Sequence, residues 1–146
     1  ACYKWLHEKS YKLYNFRYMM FMIPVIIIST LTGTVNFASE RIPEPYRGYF
    51  SMVIGGFNIL AALISTISQF LKISESKESH NIMAKNWDKF NRSLKIELSR
   101  NPKERSNKKD LFDVSKKEYD RLIENSPDIP TKIIKSFKKY LKIRSI

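Results

Sequence analysis

The chain has 146 residues, the size of a single domain, a formal net charge of +12 and one cysteine, Cys2. A lone cysteine excludes an intrachain disulfide and a multi-cysteine metal site, and the charge points to an anionic partner: lipid headgroups, nucleic acid or an acidic protein face. Mean hydropathy is negative, as in soluble proteins, yet the apolar residues fall in two blocks and the charge lies elsewhere. The chain opens with Ala1 rather than Met, which leaves room for processing or for a longer parent chain.

Residues 1–17 are expected to form a polar N-terminal helix bearing Lys4, Lys9, Lys12 and Arg17. From Tyr18 to Ser39 there is no charged residue. A helix needs about 20 apolar residues to cross a hydrocarbon core, so 18–39 is the first predicted membrane span. It is too long, and begins too far into the chain, for a cleaved signal peptide. Pro24 is expected to kink it and to leave the Met20 carbonyl without its usual partner. The connector 40–48 holds two acids and two bases, and Pro43 and Pro45 are expected to turn the chain back. A second charge-free run follows, and 49–71 is the second predicted span. A soluble core helix of this length would carry a polar face; neither run has a charge on any face.

Lys and Arg flank the hairpin on both outer sides, against only Arg41 and Arg47 in the connector, so the positive-inside rule predicts both termini in the cytosol. Tyr14, Phe16 and Tyr18 at one end, and Tyr46, Tyr49 and Phe50 at the other, suit interfacial anchoring. Residues 72–146 then carry 20 Lys/Arg against 11 Asp/Glu. Met83, Trp87, Phe90, Leu94 and Leu98 recur at helical spacing, predicting a stalk over 72–100 that continues the second span outward. That stripe fits either a coiled-coil seam or a core face packed within the chain against Trp5, Leu6 and Leu13. Asn101-Pro102 ends the stalk, and 101–146 is expected to be a basic helical tail. Lys103 to Lys109 reads as irregular. Ser115 and Glu118 have capping-box spacing, with Val114 able to staple onto Tyr119, so a short helix is expected from there. After Pro127 and Pro130, Thr131 to Ile146 has six bases and no acids. The expected fold class is therefore all-α: a transmembrane two-helix hairpin with a helical, basic cytosolic tail.

Within the spans, Ser29 and Gly33 on the first, and Gly55, Gly56, Asn58 and Ala62 on the second, are the candidates for helix–helix contact. Small residues let backbones approach, and an amide in hydrocarbon seeks a partner across the interface. The alternative is that Asn58, with Ser65, Thr66 and Gln69, lines a water-filled path in a homo-oligomer. No ionisable residue lies in either span, which argues against a proton relay or ion-coupled transport. In the last segment, Lys132, Lys135, Lys138, Lys139, Lys142 and Arg144 oppose Ile133, Ile134, Phe137, Tyr140 and Leu141. This suits a helix lying on an anionic membrane surface, or equally a terminal helix packed on its neighbours with solvated lysines. Nucleic acid is disfavoured, because no recognition motif accompanies the charge.

Enzyme signals are missing. His7 and His80 are isolated in sequence, with no carboxylate or thiol at ligand spacing. Gly55-Gly56 lies inside an apolar run rather than at a strand-to-helix turn, so it is no phosphate loop. Glu118, Asp120 and Glu124 read as solvated charges. No catalytic residue, metal or cofactor is expected.

Several stretches in order carry a resemblance: Trp5, Ile23 to Thr34 with Asn36-Phe37-Ala38, Trp87 to Phe90, Ile96-Glu97-Leu98, Glu104-Arg105, and Glu118 to Glu124 with Ser126-Pro127 and Ile129-Pro130. The chain resembles two-transmembrane proteins of SLATT-like layout, above all versions found in large icosahedral DNA viruses. The viral resemblance implies a structural or anchoring protein of a virion inner membrane, with capsid or other membrane-associated proteins as partners. The bacterial one implies an oligomeric pore-forming effector driven by an associated nucleotide-signalling system. No sensor or nucleotide-binding segment occurs in this chain, which favours the structural reading. The resemblance carries over no catalytic residues.

Overall fold

A computed structural model describes residues 2–38, 43–101 and 107–144. Part of the expected connector, the stretch 102–106 and the side chain of Arg144 lie outside the described residues. The described chain is helical throughout: α1 Cys2–Ala38, α2 Glu44–Phe70, α3 Ile73–Ser99, α4 Lys108–Glu124 and α5 Thr131–Arg144. Helices α1 and α2 are each long and apolar enough to cross a membrane.

Local chemistry sets the helix ends, and it moves several expected boundaries. The N-terminal helix and the first apolar run form one element, and α1 is helical through Pro24. At α2, Pro43 is the residue before the first turn and Pro45 sits inside that turn. Proline belongs there, since the first N–H groups of a helix have no intrahelical partner. The second helix therefore begins at Glu44, ahead of its expected start, and the connector shrinks accordingly. Glu44 favours the positive end of the helix dipole and pairs with Arg47 at 3.0 Å.

Two further expectations are corrected. The stalk does not continue the second apolar helix, because Leu71 and Lys72 break the ladder. Lys72 adopts a φ of 48°, a left-handed conformation that costs a non-glycine residue about 1–2 kcal/mol. The fourth helix does not start at Ser115 either. Asn107 accepts a bond from the Lys109 N–H and starts the helix at Lys108, leaving Ser115 in its middle. The helix ends where the Asn125 amide and the Ser126 hydroxyl donate to the carbonyls of Arg121 and Leu122.

The chain divides into two compact units, residues 1–13 with 75–146 and residues 14–74. The first is a bundle whose core gathers Met83, Trp87 and Leu122, with Tyr3 and Phe90 against them. Tyr3 stacks on Trp87 at 4.6 Å between ring centroids, and Tyr119 meets Trp87 edge-on at 5.5 Å. Helix α5 closes on α1 through Trp5, which lies 5.2 Å from the Phe137 ring and 5.9 Å from Tyr140. Lys4 donates to Asp88 at 2.8 Å, joining α1 to α3.

The second unit pairs the rest of α1 with α2. Ile54, Ala61 and Ser68, each seven residues from the next, form the buried seam of α2, and Thr32 is the buried polar residue of the facing α1. The remaining faces are apolar and uncovered: Met20, Ile26, Leu31 and Phe37 on α1, and Met52, Ile59, Leu63 and Phe70 on α2, are all exposed.

Candidate functional site

Among the described residues three places carry chemistry: a polar clasp between the apolar helices, a basic outer face on α5, and a buried histidine pair in the bundle.

The clasp is made by Thr32 and Asn58, whose Oγ1 and Oδ1 lie 2.8 Å apart. The Thr32 oxygen also lies 3.3 Å from the Ser29 carbonyl. A hydroxyl has one proton, so it donates either to the amide oxygen or to the carbonyl. In the second case the amide turns over, and its NH2 donates to the threonine. Either way an amide and a hydroxyl satisfy each other between two apolar helices. Two other hydroxyls resolve locally: Thr34 donates to the Thr30 carbonyl and Thr66 to the Ala62 carbonyl.

The small residues expected at this contact lie elsewhere. A Cβ built on Gly33, Gly55 or Gly56 meets nothing within 4 Å. Ser29, Gly56 and Ala62 are exposed, and Gly33 and Gly55 are half-buried. Within this chain, then, the close approach of α1 and α2 does not use the glycines. The seven-residue repeat of Ile54, Ala61 and Ser68 sets which side of α2 faces α1, and 55, 56 and 62 are rotated off that side.

In the bundle, Met83 and Trp87 are core, Phe90 and Leu94 are half-buried, and Leu98 is exposed at 57%. The buried seam of α3 is displaced toward its start relative to the expected stripe, and includes His80, Met83, Ala84 and Trp87. Phe90 and Leu94 instead line a groove of about 620 Å³ with Leu111 and Val114 of α4, rimmed by Lys89, Glu97, Asp110 and Arg121. The Glu118 carboxyl is held below its usual range by the Arg121 guanidinium.

Helix α5 presents Lys132, Lys135, Lys138, Lys139 and Lys142 to solvent. Its apolar face is partly engaged: Ile133 is buried, and Phe137 and Tyr140 contact Trp5. Helix α5 thus makes the contacts of a terminal helix packed on its neighbours, and keeps Ile134, Tyr140 and Leu141 exposed beside its lysines.

Sequence reasoning missed the histidines as a pair. His7 on α1 and His80 on α3 are both fully buried, with their Nδ1 atoms 2.9 Å apart. Burial and the neighbouring His80 ring push the His7 pKa down to about 4, and burial lowers that of His80. The one available signal was the spacing of His80 ahead of Met83, Ala84 and Trp87, which puts it on the same helix face. Among the described residues no three His, Cys, Asp or Glu side chains gather as a metal site. Comparison with protein-family models, curated proteins and solved structures returns no match.

Proposed function

We propose that this chain is an integral membrane anchoring protein: its apolar hairpin is held in a bilayer, and its helical bundle supplies the contact surface. The observation that carries this reading is the uncovered apolar surface of α1 and α2. Phe37 is 92% exposed, Phe70 84% and Met52 78%, in stretches without a charge. A soluble core helix would have these residues covered by protein; here a lipid phase is the natural cover. An even number of spans returns both flanks of the hairpin to one side, and the Lys/Arg asymmetry makes that side cytosolic. The outward lysines of α5 suit anionic headgroups or an acidic protein face. The resemblance to viral two-span proteins would locate this anchor in a virion inner membrane, with its bundle toward capsid proteins.

One observation supports the pore-forming reading as a second. Ser51, Thr66 and Gln69 lie on one outward side of α2, with Asn58 between that side and α1. Polar groups facing hydrocarbon are satisfied when other copies of the chain, or a water path among them, cover them. Rapid dye leakage on expression of the chain alone would favour that reading over the anchor.

The topology is tested by thiol labelling. With Cys2 replaced by Ser, Tyr46→Cys should react with an impermeant reagent from outside intact cells, and Lys108→Cys only after lysis. Labelling of Lys108→Cys but not Tyr46→Cys inverts the topology, and labelling of both in intact cells removes the hairpin. Copurification with virions at a fixed ratio to the capsid protein tests the viral location.

A further inference from the structure

The histidine pair lies inside the bundle, apart from the outer face of α5, and the anchoring role makes no use of it. Its tautomers follow from its surroundings. A bond between two Nδ1 atoms needs one N–H and one lone pair. The other nitrogen of His7, Nε2, is buried without a partner. An orphaned buried N–H is rarer and costlier than an orphaned acceptor, so Nε2 is the bare nitrogen. His7 therefore donates from Nδ1, and His80 accepts. The result is a neutral bond between α1 and α3 beside an empty proton site sealed from water.

We propose that His7 and His80 form a proton-operated latch: proton uptake at the buried Nε2 of His7 releases the first turns of α1 from α3. A proton arriving there creates a cation with an N–H that nothing accepts, and the group is relieved only by reaching water. Other ionisable groups lie on the surrounding turns. On α1 these are Tyr3, Lys4, Glu8 and Tyr11; on α3, Lys77, Glu78 and Asp88; on α4, Tyr119; on α5, the outward lysines and Tyr140. Tyr3, bonded to Tyr119, has its pKa raised further and stays neutral. Asp88, held by Lys4, titrates below its usual range and so breaks after the latch does.

The sign of the effect follows from the direction of the shift. The latched form binds fewer protons than the released form between the ordinary histidine pKa and about 4. Latching is therefore complete above roughly pH 6.5 and weakens as pH falls toward 4. With those two values, the ratio of released to latched forms rises about 30-fold between pH 7.5 and pH 5. Opening would free Tyr3 and Trp5 and uncover the ring faces of Trp87, Phe137 and Tyr140.

Both tryptophans sit in the contacts that open, so the full chain in nanodiscs reports on itself. Tryptophan emission and hydrogen exchange of residues 2–13 are followed from pH 8 to pH 4.5. The wild type should show a red shift and faster exchange as pH falls through this window. His7→Asn keeps a donor near the Nδ1 position but cannot titrate, so its transition should disappear or move down by more than one pH unit. Asp88→Asn should keep the wild-type transition. A His7→Asn protein that opens like the wild type, or loss of the transition in Asp88→Asn alone, overturns the latch. Should His7→Asn fail to fold, nitrogen NMR of the wild type decides. A neutral His7 carrying its proton on Nδ1 and titrating well below 6 supports the latch, and an ordinary midpoint overturns it.

Discussion

Substitutions across the hairpin should not rank by the volume they add. Ala61 is 5% exposed and faces α1 between Ile54 and Ser68. A leucine there has no room, and overpacking of this kind costs about 1–3 kcal/mol. Asn58→Leu removes one interhelical hydrogen bond, worth about 0.6 kcal/mol and at most roughly 2 in a membrane. Gly55→Leu enters open space, since a Cβ there meets nothing within 4 Å. It therefore costs the hairpin nothing in contact, and replacing a helical glycine gains a few tenths of a kcal/mol or more. Steric-trap unfolding of the hairpin in bicelles measures all three on one scale. The expected order of destabilisation is Ala61→Leu, then Asn58→Leu, then Gly55→Leu at or slightly above wild-type stability. The reasoning fails if Gly55→Leu is as damaging as Ala61→Leu at a protein concentration where the chain is monomeric. If the damage occurs only at high protein density, Gly55 meets a second copy, and the pore-forming reading gains.

The bundle and the outer face of α5 give two more tests. Trp87→Ala should cost the bundle about 3–5 kcal/mol in denaturant melts followed by near-ultraviolet circular dichroism. Trp87→Phe should cost much less, because the indole N–H it removes is buried without a partner. Replacing Lys135, Lys138, Lys139 and Lys142 by Gln should weaken attachment of the reconstituted protein to anionic vesicles by up to about 1 kcal/mol per lysine. That attachment should also fade with salt in the wild type; binding that ignores both salt and these lysines would point to an apolar contact instead.

The two apolar helices were legible because a long run without charge is a simple signal, and Tyr18 to Ser39 and Gly48 to Leu71 are such runs. Their ends were less so. Pro43 and Pro45 read as breakers although a first helical turn accepts proline. Likewise, Ser115 with Glu118 imitates a helix start that Asn107 supplies earlier. The glycines misled for a related reason. A small residue permits close approach without requiring it, and the α1-facing side of α2 was set by the repeat of Ile54, Ala61 and Ser68. The histidine pair joins residues 73 apart in sequence, and no local spacing announces such a contact. Lys72 is a break without a breaker: its positive φ falls on a residue with no preference for it.

Helix α1 itself argues for two solvents along one chain. In its first turns the inward residues include the rings of Tyr3 and Trp5 and the side chain of Leu6, while Glu8, Lys9 and Lys12 face outward. The polar His7 and Ser10 are fully buried there too, so it is the charged outer face that marks a helix in water. Beyond Tyr18 the outer face changes. The buried residue is the polar Thr32, bonded to Asn58, and Ile26, Leu31 and Phe37 face out. Helix α2 buries Ile54 and Ala61 along with Ser68 and leaves Met52 and Phe70 exposed. Water would not reward leaving rings such as Phe37 and Phe70 outside, because burying an aromatic ring stabilises by far more than leaving it exposed. In lipid tails the outward apolar groups cost nothing, and a polar pair between helices is the contact with something to gain. The change along α1 therefore lies in what faces out, charge in the first turns and apolar side chains beyond Tyr18, which agrees with the bilayer proposed above.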